Sequence, residues 1–203
     1  MKKNYSVKIS QGNSKLGTIA NMSLTPGVTC SAEACKTCLV EGCYACKSYR
    51  MYKSVKAAWD ANTRLATEDL ETMESDLMAY FGSMNAPRFF RIHVGGDFVT
   101  EDYARMWARV MAANPSTNFL AFTKQWANVR NVDFSDNASI VPSGWPGTTI
   151  PADILEKFGV AAYCDDGKTE IPADAIECPG NCETCGVCWS LAKRGISVFF
   201  KKH

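Results

Sequence analysis

The chain has 203 residues, of which 46% are hydrophobic and 21% charged, enough to bury an ordinary core. A net charge of +1 gives no overall signal for nucleic acid or a membrane surface. No apolar run approaches the ~20 residues of a membrane span, and the lysines of the opening MKKNYSVKISQGNSK are not followed by the apolar segment of a secretory signal. We therefore expect one intracellular domain over residues 1–203.

Short β-branched or aromatic runs alternate with helical patterns, which is typical of a βα architecture with a mainly parallel sheet. The predicted strands are 15–24, 88–94, 118–124, 138–143, 160–164 and 196–202. Helices are predicted from about 47 to 84 with a break near 67–71, after Thr100, and over 151–159. Six such strands suit a doubly wound sheet or an incomplete barrel. We favour an α/β fold of the (β/α)6 partial TIM-barrel type.

The ten cysteines lie in two dense patches. A reducing compartment does not sustain structural disulfides, so metal binding explains them better than a disulfide scaffold. The N-terminal patch spans 30–46 and the C-terminal patch spans 164–188. The candidate metal ligands are Cys30, Cys35, Cys38, Cys43, Cys46, Cys178, Cys182, Cys185 and Cys188, with Cys164 left open.

The patches follow the first and fifth predicted strands. Loops after parallel strands open on one face of an α/β fold, where ligands bind. We therefore expect both patches at one rim. If a barrel begins to close, they could share a metal centre.

The C-terminal run CPGNCETCGVC supplies four closely spaced thiolates, with Gly180 and Gly186 allowing tight turns. Thiolates two or three residues apart can converge on a cubane, so the run predicts a 4Fe-4S cluster. Zinc is the competing metal, because CETC is an acceptable zinc knuckle. Zinc sites, however, usually pair two CxxC units a dozen or more residues apart.

The N-terminal run contains Cys38, Cys43 and Cys46 as CxxxxCxxC, similar to the radical-SAM triplet. Three thiolates would leave one iron open for S-adenosylmethionine (SAM). Cys30 or Cys35 could instead supply a fourth ligand and close that site.

A second candidate cofactor element is HVGGDF at 93–98, containing Gly95, Gly96 and Asp97. Asp97 could accept a hydrogen bond from the amino group of SAM. The alternative is structural: the glycines shape a strand-to-helix turn and Asp97 helps to cap the segment after that turn.

Four segments together resemble a bacteriophage family named after gene product eighty-eight: NMSLTPGVTC, CYACKSYRMYKSVKAAWDAN, FFRIHVGGDFVTEDYARMW and CETCGVCWSLAKRGISVFFKKH. The resemblance runs from about Asn21 to His203. It implies a phage-encoded protein acting in the cytoplasm of the infected bacterium, with a fold similar to radical-SAM partial barrels.

These observations favour a phage iron-sulfur protein with one or two 4Fe-4S clusters and a role in redox chemistry or host modulation. A radical-SAM-like enzyme with an open iron is the first alternative, and a zinc-stapled binding module is the second. A host protein or an electron donor would be the partner, whereas a membrane or nucleic acid is not indicated.

Overall fold

A computed structural model describes residues 5–38 and 42–201. Its strands are β1 (Ala20–Met22), β2 (Phe89–Ile92), β3 (Asn118–Thr123), β4 (Ala138–Pro142), β5 (Ala162–Asp165), β6 (Ile176–Glu177) and β7 (Val198–Lys201). Its α-helices are α1 (Ala32–Cys38), α2 (Tyr44–Met51), α3 (Lys53–Glu68), α4 (Leu70–Phe81), α5 (Glu101–Ala113), α6 (Trp126–Val129), α7 (Ala152–Phe158), α8 (Cys182–Cys185) and α9 (Leu191–Arg194), with a 3-10 turn at Val187–Ser190.

The strands form two parallel sheets. The first has the order β1-β2-β3-β4 and the second the order β5-β7-β6. A single parallel bridge between Ser143 and Ala162 links them. The expected α/β class with parallel sheets is therefore confirmed. A closed barrel is not, because β1 pairs with β2 and with no strand of the second sheet in the described part of the chain.

One face of the first sheet carries the larger core. Phe90 and Ile92 of β2 and Phe119 of β3 are fully buried there against α4 and α5. Trp107 of α5 packs in the same cluster, and its ring lies 6.1 Å from that of Phe90. The alternation along β2 follows from strand geometry, because successive side chains point to opposite faces. Phe89 and Arg91 therefore point away from these helices.

The opposite face carries a second core. Leu120 and Val141 of the first sheet meet Val198 of the second sheet there, together with Trp189 and Leu191 from the C-terminal segment. The segment that holds the last four cysteines is therefore packed on the face to which Arg91 points.

The N-terminal segment is fixed to β1 and α3. Ser10 and Asn21 exchange two backbone hydrogen bonds of 2.8 Å as an antiparallel bridge. The buried amide of Asn62 in α3 donates to the backbone oxygens of Lys8 and Ser23 and accepts from the N–H of Lys8. The Asn62 side chain thus connects α3 to the N-terminal segment and to the residue that follows β1.

The local signals for helix ends were informative. The Thr100 hydroxyl accepts from the N–H of Tyr103, as a helix N-cap does, and Gly159 ends α7 with φ 64°. The predicted break near 67–71 falls at Asp69, the N-cap of α4. An additional break at Tyr52 separates α2 from α3, and the short strand β6 was not predicted.

Within the described ranges, every helix is too short or too polar to cross a bilayer.

Candidate metal centres

Four cysteines, here called the C-terminal set (Cys178, Cys182, Cys185 and Cys188), line one cavity of about 40 Å³. Cys178 follows β6 directly, two of the four belong to α8, and Cys188 lies in the 3-10 turn. Gly186 has φ 62°, a left-handed conformation that lets the backbone turn sharply between α8 and Cys188. A cavity of this volume has room for about three water-sized atoms.

Backbone and indole hydrogen bonds fix this loop to distant parts of the fold. The N–H of Cys178 donates to the oxygen of Phe199 in β7, and the N–H of Cys182 donates to the oxygen of Lys15 ahead of β1, each at 2.9 Å. The indole N–H of Trp189 donates to the backbone oxygen of Phe90 in β2 at 3.1 Å. The loop thus joins the first and last parts of the parallel array, which do not pair with each other directly.

The guanidinium of Arg91 lies on the side of β2 that packs against the C-terminal segment, because Phe122, on which it stacks, belongs to the same cluster as Cys178, Cys182 and Cys188. Arg91 projects from β2 onto the loop side, with its guanidinium carbon 4.3 Å from the centroid of the Phe122 ring. Its nitrogens donate to the backbone oxygens of Ile92 at 3.2 Å and His93 at 3.4 Å. Burial lowers the pKa of Arg91, and the Tyr44 hydroxyl and three thiols of the set act in the opposite direction. Among the ion pairs formed by the described residues, none joins Arg91 to a carboxylate.

Burial also raises the pKa of two thiols of the C-terminal set. It raises the pKa of Cys188 to about 12, against the lowering effect of the Arg91 charge. Burial raises the pKa of Cys182 as well, while Arg91 and Lys15 oppose it. In the metal-free protein these thiols are therefore protonated at neutral pH. A metal would displace the protons, since thiolate is the ligand form of cysteine.

The N-terminal set (Cys30, Cys35, Cys43 and Cys46) lies at the carboxyl ends of β1 and β2. The thiol of Cys30 lies close enough to Cys35 to affect its pKa, and the thiol of Cys43 likewise affects the pKa of Cys46. Burial raises the pKa of Cys30 to about 12 and that of Cys46 to about 11. An open cavity of about 360 Å³ beside this set is lined by Gly42, Cys43, Cys46, Tyr49 and Arg50.

Two candidate cysteines stand apart from these sets. The backbone of Cys38 closes α1, and its side chain lies outside the described part of the structure. Cys164 belongs to β5 and is not among the residues that line the C-terminal cavity.

The two sets occupy separate places. The cavity of the C-terminal set contains no residue of the N-terminal set, and the open cavity contains no residue of the C-terminal set. The expectation of one shared centre is therefore not supported. In the described ranges, no group of three or more His, Cys, Asp or Glu side chains is arranged to hold a metal ion. The metal ligands named from the sequence remain predictions.

The Gly95-Gly96-Asp97 turn has a structural role. A Cβ on Gly95 would come within 2.7 Å of the Trp59 ring, and one on Gly96 within 2.5 Å of the Thr29 hydroxyl. The buried Asp97 carboxylate accepts from the Phe98 N–H at 2.8 Å, the Thr123 hydroxyl at 2.6 Å and the Lys124 N–H at 2.7 Å. A carboxylate has about four acceptor positions, so most of its capacity is used inside the fold.

Sequence reasoning gave no role to Arg91 or to Trp189. The signal for Arg91 was present, because RFFRIHV places a charge in the middle of an otherwise apolar strand. The signal for Trp189 was weaker, since an aromatic residue after a cysteine motif is more often explained by ordinary packing.

The profile of the family described as Gene product 88 matches residues 2–174. The chain belongs to the Gene product 88 family. That match includes the N-terminal set and the Gly95-Gly96-Asp97 turn, but it ends before Cys178, whereas the resemblance extended to His203.

Two relatives of this Gene product 88 family member are phage proteins. The Gene 88 protein of Mycobacterium phage L5 is 30% identical, and that of Mycobacterium phage D29 is 29% identical. Each alignment covers 91% of this chain and 89% of the relative. No solved structure matches the chain. The expected similarity to radical-SAM and TIM-barrel folds is therefore not supported.

Proposed function

We propose that this bacteriophage protein of the Gene product 88 family holds a 4Fe-4S cluster on the C-terminal set. The observation that carries the proposal is that four thiols from one short loop line a single cavity. The half-buried Arg91 interacts electrostatically with three of these thiols, and none of the ion pairs formed by the described residues joins it to a carboxylate. Four metal-bound thiolates would supply the missing negative charge.

The donor chemistry fits such a cluster. Thiolates are soft ligands suited to iron-sulfur centres, and a bound cluster supplies one-electron redox chemistry. The remaining cavity wall is largely apolar, with Ile176, Val187, Trp189 and Val198. These side chains would limit water access to the sulfur atoms, and burial is one of the properties that set a cluster's potential.

The test is anaerobic purification and iron-sulfide reconstitution of the full chain. We expect a brown protein with broad absorbance near ~400 nm and about four irons per cluster. Cys182→Ser should lose most of the iron bound at this site. Cys164→Ser is the matched control, because it removes a thiol outside the cavity, and it should keep the iron. A colourless protein with stoichiometric zinc would contradict the proposal and favour the zinc-stapled module.

A second candidate function is a SAM-dependent enzyme using the N-terminal set. It is favoured by the closeness of Cys30 and Cys35 to Asp97, whose charge affects both thiols. The three internal hydrogen bonds of Asp97 weigh against a role in holding the SAM amino group. Incubation of the reconstituted protein with SAM and a strong reductant tests this function. Formation of 5′-deoxyadenosine would support it, and the absence of SAM binding would rule it out.

The cellular setting is part of the same proposal. Phage proteins act in the infected bacterium, and the host cytoplasm keeps thiols reduced, as cluster assembly on cysteine requires. We therefore place the protein there, with an electron donor or another host protein as its partner. Co-fractionation of the tagged protein with the soluble extract of infected cells would test the location.

A further inference from the structure

We propose that the surface formed by α2 and the start of α3 binds single-stranded nucleic acid. Its lysine and arginine side chains contact the phosphates, and its tyrosine rings stack on the bases. Proteins that bind single strands combine these two features, a basic surface and aromatic platforms. The inference goes beyond the proposed function and does not depend on a bound cluster.

The positive charge of the chain is concentrated in residues 42–59, here called the basic segment. The segment has no acidic residue and four basic residues, which are Lys47, Arg50, Lys53 and Lys56. The whole chain has a net charge of only +1, so the other residues together carry a net negative charge. The overall charge therefore gave no signal for nucleic acid, although one surface is basic.

Three of these charges are available to a partner. Lys47, Arg50 and Lys53 are exposed, and none of them takes part in the ion pairs formed by the described residues. Lys56 differs, because its ammonium lies 3.0 Å from the Asp60 carboxylate. Lys47 and Arg50 are neighbours on α2, since residues three apart lie close together on a helix, and Lys53 begins α3. A chain of phosphates complements such a row of cations.

The basic segment also exposes aromatic and apolar side chains. The exposed fractions are 64% for Tyr44, 60% for Met51 and 54% for Tyr52, three of the five large hydrophobic side chains that are exposed among the described residues. Tyr44 and Met51 share a face of α2 with Lys47, because positions three and seven apart recur on one side of a helix. The Tyr44 hydroxyl donates to the backbone oxygen of Val94 at 2.6 Å, which positions its exposed ring. Rings and cations therefore occupy one surface.

The open cavity of about 360 Å³ gives this surface a concave part. Tyr49 and Arg50 line it. The Tyr49 ring stacks on Trp59 with 6.3 Å between the centroids, and its hydroxyl donates to the Asp60 carboxylate at 2.6 Å. The volume lies within the range of about 300–1,000 Å³ of small-molecule pockets, so the cavity can receive an unstacked base. An acidic peptide would match the charges but has no base to place there, and a bilayer surface is too flat to enter.

The test measures the binding of full-length protein to fluorescently labelled single strands by anisotropy, between about 50 and 200 mM salt. The probes are oligodeoxythymidine, oligouridine and an abasic deoxyribose-phosphate oligomer of the same charge. We expect both oligonucleotides to bind about tenfold more tightly than the abasic oligomer, because stacking of even one base contributes about that much. The logarithm of the affinity should fall with the logarithm of the salt concentration with a slope of about −2, the value for three phosphate contacts.

Two variants separate charge from stacking. The double variant Lys47→Gln, Arg50→Gln should reduce the magnitude of the salt slope by about 1.4 and weaken the binding of all three probes. Tyr52→Leu should leave the slope unchanged and weaken only the two oligonucleotides, by about tenfold. The matched control is Lys193→Gln, Arg194→Gln, which removes two exposed charges from α9 and should bind like the wild type. Circular dichroism establishes that all variants are folded.

The contrary outcomes are equally specific. A wild-type protein that binds neither oligonucleotide overturns the inference. Equal affinity for the abasic oligomer and the oligonucleotides shows an attraction to any polyanion and overturns the role of the rings. Equal binding by the α2 and α9 double variants places the contact elsewhere on the molecule. Binding to vesicles with anionic lipid, without binding to the oligonucleotides, assigns the surface to a membrane instead.

Discussion

The indole N–H of Trp189 donates to the backbone oxygen of Phe90 at 3.1 Å, and through this bond the cysteine loop reaches the centre of the fold. The Phe90 side chain points to the other face of β2, into the core formed with α4 and α5. The Trp189 ring also packs against Phe89, with 5.4 Å between the ring centroids. The position of Cys188, the residue before Trp189, is therefore coupled to β2.

Trp189→Phe tests that coupling. The substitution keeps an aromatic ring but leaves the Phe90 oxygen without its indole donor, and we expect a loss of about 1–3 kcal/mol in the free energy of unfolding. We also expect faster iron release to a chelator. Trp126→Phe is the control, because the buried indole N–H of Trp126 has no hydrogen-bond partner among the described residues. Urea unfolding and chelator kinetics measure the two effects, and equal losses in both variants would contradict the prediction.

His93 makes the stability of the protein depend on pH. Its side chain is buried, Nε2 lies 2.9 Å from the Tyr103 hydroxyl, and Nδ1 has no hydrogen-bond partner in the described part of the chain. Burial and the nearby charge of Arg91 lower the pKa of His93 from 6.5 to about 3. Below pH 6.5 the unfolded chain therefore binds a proton at His93, whereas the folded chain does not bind this proton until the pH approaches 3. Stability is fully present above pH 6.5 and falls as the pH decreases towards 3.

His93→Asn tests this dependence. Asparagine tolerates the positive φ of 58° at this position and does not titrate. Between pH 7 and pH 4 the wild type should lose roughly 3 kcal/mol more unfolding free energy than the variant. Urea titrations at several pH values in that range would measure the difference. Parallel pH profiles for the two proteins would show that His93 is not the group responsible.

Asn62 anchors the N-terminal segment through hydrogen bonds to Lys8 and also binds Ser23. Asn62→Ala removes three hydrogen bonds, to the N–H and oxygen of Lys8 and to the oxygen of Ser23. We expect a loss of about 2–4 kcal/mol in the free energy of unfolding. Asn85→Ala, at an exposed position, should change it by less than about 0.5 kcal/mol. Limited proteolysis near Lys8 provides a second measurement, which should show faster cleavage in Asn62→Ala alone.

The separation of the two cysteine sets predicts independent metal loading. Cys43→Ser alters the N-terminal set and should leave the iron signal of the C-terminal set unchanged. Cys182→Ser should remove that signal. Iron content and electron paramagnetic resonance spectra of the two variants provide the comparison. Loss of all iron in Cys43→Ser would instead indicate one centre shared by both sets.

The parts of the fold predicted correctly depend on local chemistry. The Thr100 cap, the Gly159 helix end and the six main strands were readable because capping residues, glycine and β-branched runs act over a few neighbours. The strand β6 has only two residues, too few to show an alternation of apolar and polar side chains. The break at Tyr52 is not marked by a neighbouring proline or glycine.

The arrangement of the sites depends on tertiary structure and was harder to predict. The grouping of the four C-terminal cysteines was readable from their spacing. Their position on the face occupied by Arg91 was not, because it depends on how residues 177–190 return across the sheet. The separation of the two sets has the same origin.

The bridge between Ser10 and Asn21 also covers one edge of the first sheet. It occupies backbone groups on the side of β1 away from β2. At the other end of the array, β6 offers two residues for pairing. Unpaired strand edges are templates for intermolecular β-sheet growth, and natural proteins cover or shorten them. Both ends of this array carry such protection, which disfavours edge-to-edge aggregation while the protein is folded.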